Sequence, residues 1–161
     1  MHKVNNITEL SNELTYHRYM LNQGQVHSLF KDISIQEYIA LHNISLSISE
    51  KNDDSGRTYL KDIADELRLS IPQASKMIGG LRDKGLVSWA HDGNGSEGTY
   101  IIITESGLGL MHRQETFLKD YYGRVAEKFG EENLITLIGL MQQLEEAMDS
   151  ELREGDWADG I

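Results

Sequence analysis

YLKDIADELRLSIPQASKMIGGLRDKG, from Tyr59 to Gly85, is the stretch that decides the fold. Ile63, Leu67, Leu69, Ala74, Met77, Ile78 and Leu81 recur at steps that suit two short helices meeting at a tight corner. Small Ala64 falls where those helices would cross closely. The second helix has its own start signal. Ser70 is followed three residues later by Gln73, so each side chain can satisfy the other's backbone donor. Pro72 sits in the first turn, where a missing N–H loses nothing. With Leu69, Ala74, Met77, Ile78 and Leu81 turned inward, the outer face carries Gln73, Ser75, Lys76, Gly79 and Arg82, mostly groups that bond base edges and phosphates. On this pattern alone, an ordinary solvated face in a small helical domain stays open beside a DNA-reading helix.

The residues that follow favour the second reading. Leu86 to His91 and Thr99 to Thr104 are short β-prone runs, joined by DGNGSEG from Asp92 to Gly98, almost wholly turn formers. A helical corner, a glycine stop at Gly85 and a hairpin together describe a winged helix-turn-helix. That combination is far more specific than any of its parts.

The chain here resembles the MarR family of bacterial transcription regulators. The matching residues are Asp62-Ile-Ala-Asp-Glu-Leu67, Ser70 at the head of the second helix, Leu81-Arg-Asp-Lys-Gly-Leu-Val87 at the junction with the wing, and Thr104-Glu-Ser-Gly107 after it. The resemblance implies a homodimer. It also implies an effector pocket between the winged unit and the dimer helices, lined from the first, second and fifth helices. Three features depart from the family's usual form. The wing tip has Asp92 but no Arg or Lys from Ala90 to Ile103, which counts against minor-groove reading by the wing. Gly79 and Gly80 fall inside the recognition helix, where each disfavours helix by about 1 kcal/mol relative to alanine. Arg68 stands at the helix corner in place of a small residue, tolerable if the corner is a longer turn that does not demand glycine.

At 161 residues, 39% hydrophobic and 25% charged, the chain reads as about one folded domain. No apolar run approaches the ~20 residues of a bilayer span, and no basic, apolar and small-residue triplet opens the chain, so a cytoplasmic protein without membrane contact is expected. There are no cysteines, which removes disulfides and the peroxide-sensing branch of the resembled family. The net charge of −11 argues against nucleic acid if taken whole. Its distribution answers part of that objection. From Arg57 to Glu105 six basic residues face seven acidic ones, whereas the rest of the chain has nine against nineteen. A locally basic helix on an acidic body is compatible with DNA binding, weakened by the body's repulsion.

Outside the winged unit the pattern is helical. Ile7, Leu10, Leu14, His17 and Leu21 form a narrow stripe, Asn22 to Gln25 breaks it, and Val26 to Phe30 continues toward the next helix. Ser34 with Glu37 makes a second capping box, opening a helix to about Ser49 with Ile35, Tyr38, Ile39, His42 and Leu46 on one face. After Thr104 come two long seams, Leu108 to Phe129 and Leu134 to Leu152, separated by Gly130. These helices carry more apolar surface than the winged unit can cover. A homodimer interleaving the first helix and the last two accounts for it, with an intramolecular helical subdomain as the other solution. The expected fold is mainly α (α+β), a single winged helix-turn-helix domain with flanking dimerisation helices. Its parts are N-terminal helices over 1–55, the winged unit over 56–104, C-terminal helices over 105–153 and a tail over 154–161.

A two-fold dimer would set recognition helices in successive major grooves about 34 Å apart, hence a short pseudo-palindromic operator in double-stranded DNA. Gln73, Ser75 and Lys76, with Gly79, are the candidates near base edges, and Arg82 and Arg57 those on phosphates. For a small-molecule effector the candidate lining is Tyr16, His17, Met20, Tyr38 and His42. A lone histidine on an apolar face, as His42 is, is more often hydrogen-bonded in a core than bound to metal, and no zinc spacing occurs. No cofactor, metal or catalytic residue is expected: there is no phosphate loop, nucleophile elbow or cysteine nucleophile. The expected function is a ligand-responsive transcription regulator, a repressor. The alternative is a winged-helix protein-interaction module with weak or no DNA binding.

Overall fold

The computed structural model describes residues 6–23, 28–50, 57–93, 98–155 and 157. Its elements in chain order are α1 (Ile7–Gln23), α2 (Ile35–Glu50), β1 (Thr58–Tyr59), α3 (Leu60–Glu66), α4 (Ile71–Asp83), β2 (Val87–His91), β3 (Thr99–Ile103), α5 (Glu105–Phe129) and α6 (Glu131–Glu154). They fall into two compact units, 1–115 and 116–161. The boundary lies within α5.

The first unit holds the core. Ala40, Leu41 and Ile44 of α2, Leu60, Ile63 and Ala64 of α3, and Ala74, Ile78 and Leu81 of α4 are buried with Leu86, Val87, Ile101, Ile103 and Met111. Leu67, Leu69 and Met77 pack against them only partly buried. On α2 the buried stripe is therefore not the one carrying Ile39 and Leu46, both of which are exposed. Two apolar stripes share that helix, and the one with Ala40, Leu41 and Ile44 is packed into the core.

Both capping boxes form. Ser70 Oγ accepts from Gln73 N–H at 3.2 Å, and Gln73 Oε1 accepts from Ser70 N–H at 2.9 Å. Ser34 and Glu37 exchange the same bonds at 3.1 and 3.0 Å. Residues 28–34 do not continue α1 toward α2. Beyond a single tight turn at 28–29 they run as an irregular link.

The corner between α3 and α4 overturns the expectation for Arg68. Its φ is +54°, the left-handed region, and it is the one described residue other than glycine found there. Leu69 N–H bonds Ala64 O at 2.8 Å and Arg68 N–H bonds Asp65 O at 3.2 Å, a Schellman stop that normally places glycine where Arg68 stands. The same motif ends α4. Gly85 has φ +74°, Leu86 N–H bonds Leu81 O at 3.0 Å and Gly85 N–H bonds Arg82 O at 2.8 Å.

The wing is a three-stranded antiparallel sheet in the order β1-β3-β2, with Trp89 opposite Ile101 and Tyr59 opposite Tyr100. Residues 94–97 of the expected wing tip lie outside the described residues. The root of the hairpin is tightly joined. Thr104 N–H bonds Leu86 O at 3.0 Å, Thr104 Oγ1 donates to Gly85 O at 2.7 Å and accepts from Gly107 N–H at 3.1 Å. Gly107 is buried, and a Cβ there would run into the Leu86 carbonyl and stand 2.8 Å from the Ile103 side chain.

Every residue of α1 is exposed, and neither α1 nor α6 buries a residue. Ile7 is 77% exposed and Ile135 64%, with Leu10, Leu21, Ile138, Leu140 and Leu152 each at least half open. The α6 apolar surface is broader than the expected seam of Leu134, Leu137, Met141, Leu144, Met148 and Leu152, since Ile135, Ile138 and Leu140 are exposed as well. Most of the 154–161 tail lies outside the described residues. Among the described residues no helix is long and apolar enough to cross a membrane.

Candidate nucleic-acid interface

α4 presents the surface. Its buried side holds Ala74, Ile78 and Leu81, which leaves Gln73, Lys76 and Arg82 exposed and Ser75 and Gly79 half-buried. Gln73 has a double duty. Its carbonyl oxygen closes the cap on Ser70, so its amide NH₂ is the part free to donate outward. Gln73 and Lys76 line an open groove of about 410 Å³ with Ser34, Gln36, Glu37, Leu69, Met77 and Gly80, the start of α2 forming the far wall. Lys76 has no ion-pair partner among the described residues.

Arg82 is held in place. Its guanidinium stacks over the Trp89 ring at 4.7 Å and reaches Asp83 Oδ1 at 3.3 Å. The stack ties the last turn of α4 to β2 and leaves the cation at the surface, a geometry suited to a phosphate. Lys84, which added to the local basic count in the sequence, is engaged elsewhere. Its Nζ lies 3.1 and 3.2 Å from the two Glu37 carboxylate oxygens and donates to Asp32 O at 3.2 Å.

Arg57 belongs to a second group, on the sheet. Its guanidinium lies 4.4 Å over the Tyr100 ring, and Tyr59 Oη donates to Asp92 Oδ2 at 3.2 Å. A hydrogen bond to Tyr59, then the charges of Tyr100, Tyr59 and Asp92, hold the guanidinium pKa above its ordinary value despite some desolvation. Tyr100 lies in the β-prone run from Thr99, but nothing in the sequence tied it to Arg57. The missing signal was β1, whose two residues are too few to show a period.

Of the candidate effector residues the structure brings two together. The Tyr38 and His42 rings are 6.1 Å apart, Phe30 lies 5.9 Å from Tyr38, and His42 Nε2 is 3.5 Å from Glu115 Oε2. Burial first, then the Glu115 charge, pushes the Tyr38 phenol pKa above its ordinary value. Tyr16, His17 and Met20 stand exposed on α1, His17 against Glu13 of its own helix at 3.3 Å. An open groove of about 610 Å³ beside Phe30 is lined by residues 30–37 and Lys84, with none of the five in its wall. Among the described residues no group of three or more His, Cys, Asp or Glu could hold a metal ion.

No protein-family model matches the chain, and no curated protein matches it. Solved structures do. A MarR mutant from E. coli complexed with operator DNA is 16% identical, with a TM-score of 0.69, over 87% of this chain and 99% of that one. A MarR-family regulator from Neisseria meningitidis is 16% identical with a TM-score of 0.64, over 95% and 100%. BpsR of Bordetella bronchiseptica, whose DNA binding is regulated by 6-hydroxynicotinic acid, is 12% identical with a TM-score of 0.62, over 90% and 96%. The chain has the winged-helix fold of MarR-family structures along nearly its whole length.

Proposed function

We propose that the chain is a MarR-family transcription regulator of the cytoplasm. It acts as a homodimer on a pseudo-palindromic operator in double-stranded DNA, represses transcription, and responds to a small-molecule effector. The observation that carries the reading is α4, capped by Ser70 and Gln73, with Gln73, Lys76 and Arg82 on the face left outside the core. In this reading Gln73, Ser75 and Lys76 approach base edges, Gly79 allows close approach of backbone, and Arg82 and Arg57 hold phosphates. The homodimer is supported by the exposed apolar residues of α1 and α6, which a lone chain would leave in water. Similarity to one structure holding operator DNA and to one regulator that answers a hydroxylated pyridine acid supports the DNA and effector parts. The effector itself is unassigned; Tyr38 and His42 beside Glu115 are where it would be sought first, with Tyr16, His17 and Met20 if the dimer covers that face of α1.

The second reading, a winged-helix module that binds a protein in place of DNA, draws on the net charge of −11 and on the absence of Arg or Lys from Ala90 to Ile103. Selection of duplexes from random DNA, followed by a salt series on the winner, separates the two. The regulator binds saturably and loses affinity steeply from low to moderate salt. The module selects no duplex. Light scattering on the same samples gives the mass of two chains if the homodimer is correct, and of one chain if it is not.

A further inference from the structure

Lys84 stands one residue beyond α4, where a basic side chain at the end of a recognition helix would ordinarily be read as a phosphate contact. Its surroundings assign it differently. The ammonium sits between both oxygens of Glu37, at 3.1 and 3.2 Å, and the carbonyl of Asp32 at 3.2 Å. All three of its donors have an acceptor within reach. Glu37 is also held from the other side, because Ser34 N–H donates to its Oε1 at 3.0 Å. The Glu37 side chain is only 15% exposed, against 44% for Lys84. A carboxylate this enclosed loses more from an absent partner than a surface one does. The bonds join residues about fifty positions apart in sequence, the exit of α4 and the entry of α2. The segment they grip, 28–34, is held at its other end too, where Gln114 Nε2 of α5 donates to Leu29 O at 2.8 Å.

We propose that Lys84 is a positioning residue for DNA recognition: with Glu37 and Asp32 it fixes the angle of α4 against α2, and so the presentation of Gln73 and Lys76 across the groove that α2 walls, without itself touching DNA. This rests on the DNA-binding reading above. Lys76 and Arg82 then supply the recognition helix's contact charge, and Lys84 supplies its aim.

The test uses the full chain and a labelled duplex selected from random DNA by the wild type, titrated across a salt series. Four variants are compared: Lys84→Met, Lys84→Arg, Glu37→Gln, and the double Glu37→Gln/Lys84→Met. Glu37→Gln keeps the oxygen that caps Ser34, so α2 retains its start, and thermal unfolding of each variant shows whether it folds. The expected result is that Lys84→Met and Glu37→Gln each weaken binding by about tenfold, that the double variant is no weaker than either, and that Lys84→Arg restores most of the loss. The slope of log affinity against log salt stays at the wild-type value. The proposal is overturned if Lys84→Met lowers that slope by about one while Glu37→Gln leaves binding unchanged or tighter, the mark of a direct phosphate contact. It is overturned equally if both single variants bind as the wild type does. A wild-type chain that selects no duplex sinks the DNA-binding reading itself, and this role with it, an outcome distinct from a wild type that binds while its variants behave additively.

Discussion

Thr58 is 5% exposed, and its hydroxyl has no hydrogen-bond partner among the described residues. Thr58→Val replaces the hydroxyl with a methyl of similar size, so stability should rise by about 1 kcal/mol. A denaturant midpoint that climbs at constant slope confirms it, and one that falls means that water satisfies the oxygen. Gly79 and Gly80 are alike in packing. A Cβ on either meets nothing within 4 Å, so packing explains neither glycine, and alanine at each should stabilise α4 by roughly 1 kcal/mol. Gly80→Ala is expected to leave DNA affinity close to wild type. Gly79→Ala, on the face with Lys76, should stabilise the free protein yet weaken binding, which titration of both variants against one duplex will read. Tyr38 gives a pH signature. Its raised pKa means the folded state favours the neutral phenol, so this group's contribution to stability is present below about pH 10 and is lost as pH rises through the raised value. The difference in phenolate absorbance between wild type and Tyr38→Phe should titrate above the ordinary tyrosine range, and Glu115→Gln should bring it part of the way back.

At the scale of elements, the junction of wing and α5 is closely packed. Gly107→Ala sets a methyl against the Leu86 carbonyl, and should destabilise by about 1–3 kcal/mol. A melting temperature equal to wild type would mean that α5 shifts freely there. Elements with a strong local signal were legible in sequence. Ser70 with Gln73 and Ser34 with Glu37 announced α4 and α2, and Gly85 announced the end of α4, because caps are settled by residues within one turn of each other. Elements that exist only through distant partners were not. β1 is two residues that become a strand by pairing with Tyr100 and Ile101, and the left-handed turn at Arg68 is imposed by Leu69 and Ala74 seeking the core. The candidate site divides in the same way. Gln73, Lys76 and Arg82 were readable from the helical period of α4. The engagement of Lys84 by Glu37, and of Arg57 by Tyr100, depends on which elements the fold makes neighbours.

At the scale of the whole molecule, net charge and exposed apolar surface are unevenly distributed along the chain. The winged unit is close to charge balance while the acidic excess lies outside it, and the most exposed apolar side chains, Ile7, Leu21, Ile135 and Leu152, stand on α1 and α6. Such a distribution suits a protein that meets its own copy through one set of helices and a polyanion through another. The root of the hairpin adds an engineering consequence. Since Gly85, Leu86, Thr104 and Gly107 are sewn together by hydrogen bonds and close backbone packing, the wing is a cassette: the segment between Asp92 and Gly98 can be exchanged for an arginine-bearing one, grafting minor-groove chemistry onto the scaffold while the preceding helix keeps its bearing.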